Sequence, residues 1–352
     1  MAYTATVLQD AIYKAAQTDK FQSAELRKSS YGALEAAMES TNLLLPKTEL
    51  ERIRQAATQT EKINTFVREA DGIGTSRKCS GSGTGTSAQT TVSWTTLVEE
   101  FKISFAETQG NQYTYQEIFN NRFDQKLRSL YNRIDALVVA QLEASYSAGA
   151  GTYYTNFNNA KQVPLSDHDI SNNRAALWVN RMMAEMMQND FNDDIVGVGD
   201  AFLKANTMAM LNQGQGTATN LGFQFSGTNW NFTNRVTNNT GRDATAYIFQ
   251  NGMIGLLNWI RPEYTQGVDI GTDVWSRFTD PVYGMNFELK MKKQCEDNSL
   301  LFSGAQADYT ESFVIAADFA TPTAYSSTSN SFIYKYELEN DNNVQSGSGS
   351  YS

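Results

Sequence analysis

The clearest pattern in the chain is a stripe of apolar residues at three- and four-residue steps from 115 to 142, which predicts one long helix. Thr114 stands at the expected N-cap and Glu117 lies three positions further on, the spacing of a capping box. The helix is predicted to run to about Tyr146, a length of roughly 50 Å at about 1.5 Å per residue. We expect its stripe to pack on a sheet through Phe119, Phe123, Leu127, Tyr131 and Ile134.

Residues 1–70 show helical spacing in two shorter places, at 7–15 and at 50–67. Between them lies Leu43-Leu44-Leu45-Pro46, which we predict to be extended because proline disfavours helix at the residue before it. The apolar residues of this part are too few for a core of their own. We therefore predict an arm that docks on other surfaces, and a body that still folds cooperatively when residues 1–46 are removed.

Residues 71–112 have the pattern of a hairpin that projects from the body. A tract of Gly, Ser and Thr at 81–87 leads into a strand-like segment at 91–96. After it, Phe101, Ile103 and Phe105 alternate with polar residues, and the change of parity indicates a bend or bulge. A hairpin of this kind is marginal alone, so we expect it to need a partner surface.

The rest of the chain mixes helical and strand patterns, which predicts the α+β class. A helix is expected at about 173–189, a strand at 194–198, and a helix from an Asp200 cap to 211. Residues 215–304 indicate short strands and loops with a helix near 253–260. Two late strands, at 313–317 and 331–338, are predicted to close a sheet begun earlier.

Composition and charge narrow the function. Lys and Arg number 28 against 38 Asp and Glu, a net charge of -10 with no basic run. This balance argues against a protein that grips nucleic acid, since phosphate binding needs clustered Lys and Arg. No segment has the continuous apolar length of a signal peptide core or a membrane span, so neither is predicted. Cys79 and Cys295 lie far apart and are expected to be free thiols.

Residues that could carry catalysis are few. The single histidine, His168, is interpreted as a solvated loop residue. Gly197-Val198-Gly199 lacks the third small residue of a dinucleotide fingerprint, and we interpret its glycines as a tight strand-to-helix turn. The acid pairs at 99–100 and 193–194 match no calcium-loop spacing. We predict no catalytic residue, no metal and no cofactor, and thus a protein that is not an enzyme.

The order of these parts resembles the Hong Kong ninety-seven-type major capsid protein of tailed bacteriophages. An arm and a projecting hairpin precede one long helix, and a mixed β-rich body follows. The resemblance covers nearly the whole chain and rests on architecture, because the family has no short diagnostic motif. It implies an N-terminal arm (1–70), an extended loop (71–112), a spine helix and peripheral domain (113–190, completed by 305–340), an axial domain (191–304) and a C-terminal tail (341–352).

The resemblance also implies a structural virion protein. Such a chain assembles into hexamers and pentamers of an icosahedral shell around double-stranded DNA, which it holds without sequence-specific contacts. Its expected partners are other copies of itself, with portal and cement proteins as further candidates and no membrane. It would be found in the virion, after assembly in the cytoplasm of a bacterial host. The predicted inter-subunit contacts are Leu43, Leu44, Leu45, Arg77, Lys78 and Trp94.

Two other classes of protein stay open at this point. One is another phage structural protein, such as a tail tube or sheath component, which should lack the isolated long helix. The other is a carbohydrate-binding or glycoside-hydrolysing β-rich protein that uses its aromatic residues. A protein of the second kind should be monomeric and should gain thermal stability from an oligosaccharide.

Overall fold

The computed structural model describes the following ranges of the chain: 31–66, 87–105, 113–146, 153–154, 156–157, 160–168, 177–188, 194–205, 217–218, 223–225, 228–262, 268–270, 273–280, 282–297, 307–324 and 333–339. Helices and sheets both contribute to the buried core, which confirms the α+β class. The helices are α1 (Gly32–Leu44), α2 (Lys47–Gln55), α3 (Tyr115–Ser145), α4 (Leu165–His168) and α5 (Leu177–Gln188).

The described strands are β1 (Lys62–Phe66), β2 (Ser87–Thr91), β3 (Thr95–Ser104), β4 (Asn156–Phe157), β5 (Ala160–Val163), β6 (Ile195–Gly199), β7 (Thr217–Ala218), β8 (Phe223–Phe225), β9 (Thr228–Phe232), β10 (Arg242–Gln250), β11 (Leu257–Trp259), β12 (Val268–Ile270), β13 (Asp273–Thr279), β14 (Asn286–Asp297), β15 (Ala307–Ala320) and β16 (Ile333–Glu339). These described strands form a ribbon of two, a sheet of six and a sheet of eight. The ribbon pairs β1 with β2, and the six-stranded sheet has the order β11-β15-β14-β13-β12 with β3 on the other side of β15. The eight-stranded sheet has the order β4-β5-β16-β10-β6-β9-β8-β7.

Helix α3 begins with the predicted capping box. The Thr114 hydroxyl accepts a hydrogen bond from the Glu117 amide, and the Glu117 carboxylate accepts one from the Thr114 amide at 2.7 Å. These contacts satisfy amide groups that the first turn of a helix leaves without a partner. The helix then runs for 31 residues to Ser145, close to the predicted end.

One side of α3 lies on the six-stranded sheet. The ring of Phe119 is 5.1 Å from that of Phe313, and the ring of Phe123 is 5.3 Å from that of Phe278. Aromatic pairs at such distances add to the hydrophobic effect of burial. The five stripe residues named from the sequence have at most 1% of their surface exposed: Phe119, Phe123, Leu127, Tyr131 and Ile134.

The eight-stranded sheet has its own core, which includes Trp178 of α5 and Tyr336 of β16. Within it the ammonium of Lys161 lies 2.5 Å from a carboxylate oxygen of Glu185, and neither side chain is exposed. The Tyr336 hydroxyl donates to the other Glu185 oxygen at 2.8 Å. Breaking such a pair leaves a buried charge alone, so we expect each partner to be needed. Burial also raises the pKa of Tyr336.

The sequence predicts that the two late strands close one sheet, but the structure places them in different sheets. β15 lies in the six-stranded sheet and β16 in the eight-stranded sheet. The predicted boundary between the peripheral and axial domains at residue 190 does not coincide with the boundary between the two sheets. Helix α5, before it, packs on the eight-stranded sheet, whereas β12, β13 and β14, after it, belong to the six-stranded sheet. Long-range pairing decides both points, and the alternation of apolar residues along one strand carries no information about its neighbour.

Two local predictions also fail. The segment near 253–260 contains β11 instead of a helix, since a short apolar run does not distinguish the two. His168 is only 3% exposed, because Arg181 pairs with Asp167 and allows this acidic segment to be buried.

The tight strand-to-helix turn predicted at 197–199 is present, because β6 ends at Gly199 and helical residues begin at 201. The two glycines also provide space: an added Cβ would lie 2.5 Å from the Trp230 ring at Gly197 and 2.2 Å from Leu203 at Gly199.

The predicted elements around residue 200 are found. β6 covers the expected strand, and a carboxylate oxygen of Asp200 accepts from the Leu203 amide at 2.7 Å, as an N-cap does. Helical residues follow at 201–205, and the predicted remainder of that helix lies outside the described residues.

Candidate functional site, a two-stranded ribbon and its base

The ribbon of β1 and β2 stands apart from the other two sheets. The strands pair antiparallel from Lys62 opposite Thr91 to Phe66 opposite Ser87. Within the described ranges no further strand pairs with either of them. Backbone donors and acceptors therefore face outward on both edges, which makes the ribbon a template for pairing or packing with another chain. Two-stranded ribbons are marginal alone, so a partner surface would stabilise this one.

A small hydrophobic core holds the base of the ribbon. Ile63 of β1, at 1% exposure, and the neighbouring Val92 pack there against α2, β11 and the end of β15. The indole of Trp94 donates to the Thr60 carbonyl at 2.8 Å, which ties the two limbs together. The direction in which the ribbon leaves the body is thus set by packing. The buried members of this core are Leu45, Leu50, Ile53, Ile63, Val92, Leu257 and Ala320.

The ribbon corrects the hairpin predicted for 71–112. Its first limb, Lys62–Phe66, starts before that range, in a segment where the apolar spacing at 50–67 predicts a helix. β3 was expected to be a limb of the hairpin, but it pairs along Thr95–Ser104 with β15 of the body. The chain between β2 and β3, residues 92–94, is therefore the place where it passes from the ribbon to the body.

The residues predicted as inter-subunit contacts have different environments. Leu43 is 62% exposed, Leu44 is half-buried and Leu45 is 1% exposed in the base core. Trp94 is half-buried beside the same core. Arg77 and Lys78 lie outside the described residues. Contacts between subunits through these six residues stay predictions.

The prediction of an extended apolar segment at 43–46 is wrong, because α1 continues through Leu44. Only Leu45 and Pro46 are extended, and Leu45 has φ -128° and ψ 136°, as expected of a residue before proline. The helix continues because its inner face is fully covered: Ala33, Leu34, Ala36 and Ala37 are 0% exposed. This part of the predicted arm docks on the chain's own α3.

The carboxylate of Asp135 on α3 caps the N-terminus of α1. It accepts from the Leu34 amide at 2.9 Å and from the Thr233 hydroxyl. The N-cap residue of α1, Tyr31, supplies no side-chain cap of its own. Burial raises the pKa of Asp135, and its hydrogen bonds oppose that rise. No feature of the local sequence pointed to this contact, since the two partners are about a hundred residues apart.

Among the described residues, part of the face of the six-stranded sheet away from α3 is exposed. On β3, Leu97, Phe101 and Ile103 are buried toward the helix, whereas Glu100 and Lys102 are exposed on the other side. A groove of about 190 Å³ crosses this face, with lining residues that include Trp275, Glu288, Lys290 and Asp318. The groove thus combines an indole, aliphatic side chains and charged groups.

One acid in this groove is tuned by its surroundings. Burial raises the pKa of Glu288, although the Arg261 amide donates to its carboxylate at 2.8 Å and the charge of Arg261 opposes the rise. The neighbouring charge of Asp318 raises it further. Asp318 in turn accepts from the side-chain amide of Gln59 at 2.8 Å. These contacts tie the segment before β1 to the sheet.

In the part of the chain that the structure describes, no group of three His, Cys, Asp or Glu residues could hold a metal ion. None of the described helices is long and apolar enough to cross a membrane.

Comparisons with known proteins find similarity at the level of structure. No protein-family model matches the chain, and no curated protein matches it. The cyanophage A-1(L) capsid asymmetric unit matches with a TM-score of 0.50 and 11% identity, over 86% of this chain and 92% of that chain. The capsid of Ralstonia phage GP4 has a TM-score of 0.45 at 8% identity, covering 82% of this chain and 89% of its own. The SrpI encapsulin complex of Synechococcus elongatus PCC 7942 has a TM-score of 0.42 at 8% identity, with 88% and 91% covered.

At this level of identity the likeness defines the fold. The chain has the fold of the cyanophage A-1(L) capsid subunit along most of its length. The capsid-type fold predicted from the order of the elements is thereby confirmed.

Proposed function

We propose that this chain is a structural, non-enzymatic protein that assembles with copies of itself into a closed shell, as the major capsid protein of a tailed bacteriophage. The observation that carries the proposal is the fold it shares with the cyanophage A-1(L) capsid subunit over 86% of its length. The separate ribbon supports it, because both ribbon edges need partners that the described residues do not supply. The exposed part of the six-stranded sheet, on the side away from α3, offers a second contact surface.

The subunits would form hexamers and pentamers around double-stranded DNA, in a virion assembled in bacterial cytoplasm, with portal and cement proteins as further partners. We propose that the six-stranded sheet with α3 serves as the peripheral domain and the eight-stranded sheet with α5 as the axial domain. The ribbon would be the base of the extended loop.

The alternatives predict different assemblies. A tail tube or sheath protein would form stacked rings or helical tubes, since heterologous contacts that do not close give filaments. A carbohydrate-active protein would stay a monomer. Its thermal midpoint would rise when an oligosaccharide binds the native state.

Electron microscopy and sedimentation velocity of the purified full chain test the proposal. We expect closed, hollow particles of uniform diameter that sediment far faster than the single subunit. Tubes or stacked rings would replace the proposal with the tail-protein alternative. A monomer at every concentration and salt condition would contradict it.

A further inference from the structure

Two polar contacts between described residues join the eight-stranded sheet to α3 at different points of the helix. The first is the Asp135 cap, where the Thr233 hydroxyl next to β9 donates to the carboxylate. Asp135 is 0% exposed and Thr233 is 3% exposed. Helix α1 packs around this point on α3, β6 and β9, so this contact is closed to water on every described side.

The second contact lies in the last turns of α3. One carboxylate oxygen of Glu143 is 3.0 Å from the ammonium of Lys335 on β16, and the other accepts from the Tyr247 hydroxyl on β10. Lys335 also lies 3.2 Å from Glu337, whose carboxylate is 3.4 Å from Arg242. Lys335, Glu337 and Arg242 are buried, whereas the side chain of Glu143 is 48% exposed. Solvent therefore reaches this network through Glu143.

The two contacts should differ in their sensitivity to water and salt. They are eight residues apart, which is about 12 Å along a helix. Water and salt compete well with an exposed ion pair and poorly with a buried contact. The junction also contains apolar contacts, since Leu142 of α3 and Phe249 of β10 belong to one hydrophobic cluster. The polar contacts restrict the angle between sheet and helix in addition to this packing, because hydrogen bonds and ion pairs depend on geometry and the hydrophobic effect is not directional.

We propose that the Asp135–Thr233 contact is a pivot and the Glu143–Lys335 contact is a latch. When the latch opens, the eight-stranded sheet and α5 swing relative to α3 while the pivot stays closed. Lys335 does not lose all charge compensation on opening, because Glu337 stays beside it. The use of this motion, to let one subunit fit positions of different curvature, rests on the proposed shell function. The motion itself is a property of the single subunit.

A distance measurement within one subunit tests the latch. Spin labels are placed at Gln125 on α3 and at Met187 on α5, both exposed positions, after Cys79 and Cys295 are replaced by serine. Glu143→Gln removes the charge and keeps a hydrogen-bond acceptor for Tyr247. We expect it to enlarge the population of molecules in which the eight-stranded sheet has moved relative to α3 by up to about fivefold, the upper value for an ion pair that solvent reaches.

Salt and a matched variant give the controls. In about 1 M salt the unchanged protein should shift toward the same population, whereas Glu143→Gln should respond little. Glu99→Gln is the matched control, because Glu99 pairs with Lys126 and Arg133 of α3 but joins the helix to the six-stranded sheet. It should leave the distances unchanged. Superimposable distributions for Glu143→Gln and the unchanged protein, or an equal effect of Glu99→Gln, would overturn the proposal. The labels report on the subunit whether or not particles form.

Discussion

Helix α1 and the β1–β2 ribbon differ in where they find their partners. The sequence predicts that the arm, which contains α1, docks on other surfaces and that the hairpin needs a partner surface. Helix α1 finds every partner within the subunit: its N-terminal amide meets Asp135, and Ser40 and Thr41 accept from the amides of Gly252 and Leu256. The ribbon pairs only with itself in the described ranges and is fixed at its base.

The difference shows that the number of large apolar residues is a poor guide to docking. The buried face of α1 is made largely of small residues, with Gly32 so close to β9 that an added Cβ would lie 2.5 Å from the Phe232 backbone. Small side chains allow close packing of backbone against backbone, so a modest apolar surface is fully buried. We infer that α1 stabilises the fold and that the ribbon serves contacts between subunits.

The largest effect should come from removing α1. Truncation of residues 1–46 takes away the cap partner of Asp135 and exposes the face of α3 that α1 covers. The sequence alone suggested that this truncated body would still fold, whereas the structure predicts loss of the cooperative thermal transition. Circular dichroism and calorimetry measure it. Truncation of residues 1–30 is the control, since it keeps α1 and should keep the transition; a cooperative melt after both truncations would contradict the role of α1.

Within α1, two leucines form a matched pair. Leu34 is 0% exposed and Leu43 is 62% exposed. Leu34→Ala should lower the free energy of unfolding by about 2–5 kcal/mol, because it removes buried methyl groups and leaves a cavity. Leu43→Ala should change it by less than about 0.5 kcal/mol. Urea denaturation of both variants measures the difference, and equal losses would show that α1 is not seated as described.

The Asp135 cap should give a pH-dependent effect of about 1 kcal/mol. Burial raises the folded-state pKa of Asp135 above its unfolded value of about 4. The stability that this residue contributes is therefore complete below about pH 4 and is lost as the pH rises through the folded pKa. Asp135→Asn keeps an acceptor for the Leu34 amide but does not titrate.

Urea denaturation of the unchanged protein and of Asp135→Asn, at about pH 4.5 and about pH 8, measures this effect. The advantage of the unchanged protein should shrink toward the higher pH. An advantage that grows with pH would mean that the carboxylate is stabilised in its charged form.

The smallest effect on the subunit is expected at the ribbon base. Trp94→Phe removes the hydrogen bond to the Thr60 carbonyl and retains an aromatic ring, so the free energy of unfolding should fall by about 1 kcal/mol. If the base sets the direction of the ribbon, the yield of particles should fall more than this loss explains. Sedimentation of assembly mixtures compares the yield with that of the unchanged protein. Particle yield that follows subunit stability alone would remove the directional role.

The sequence predicted those structural features whose residues lie close together along the chain. The capping box and the ends of α3 were found because Thr114, Glu117 and the apolar stripe lie within one helix. The strands β6, β15 and β16 were found for the same reason, since a short apolar segment is visible within a few residues.

Features that join distant residues were not predictable in this way. The pairing of β3 with β15, the capping of α1 by Asp135 and the contact of Glu143 with Lys335 each bring together residues a hundred or more positions apart. A single sequence offers no local sign of such partners. The buried state of His168 was missed because its neighbour Asp167 is neutralised by Arg181 of α5.

The most direct test of the division between fold and assembly is to replace residues 67–86 with a short Gly-Ser turn that joins β1 to β2. Calorimetry and sedimentation velocity of this variant are compared with those of the unchanged chain. The account predicts an unchanged thermal midpoint for the subunit and a loss of closed particles. Particles formed in normal yield, with normal stability, would contradict it.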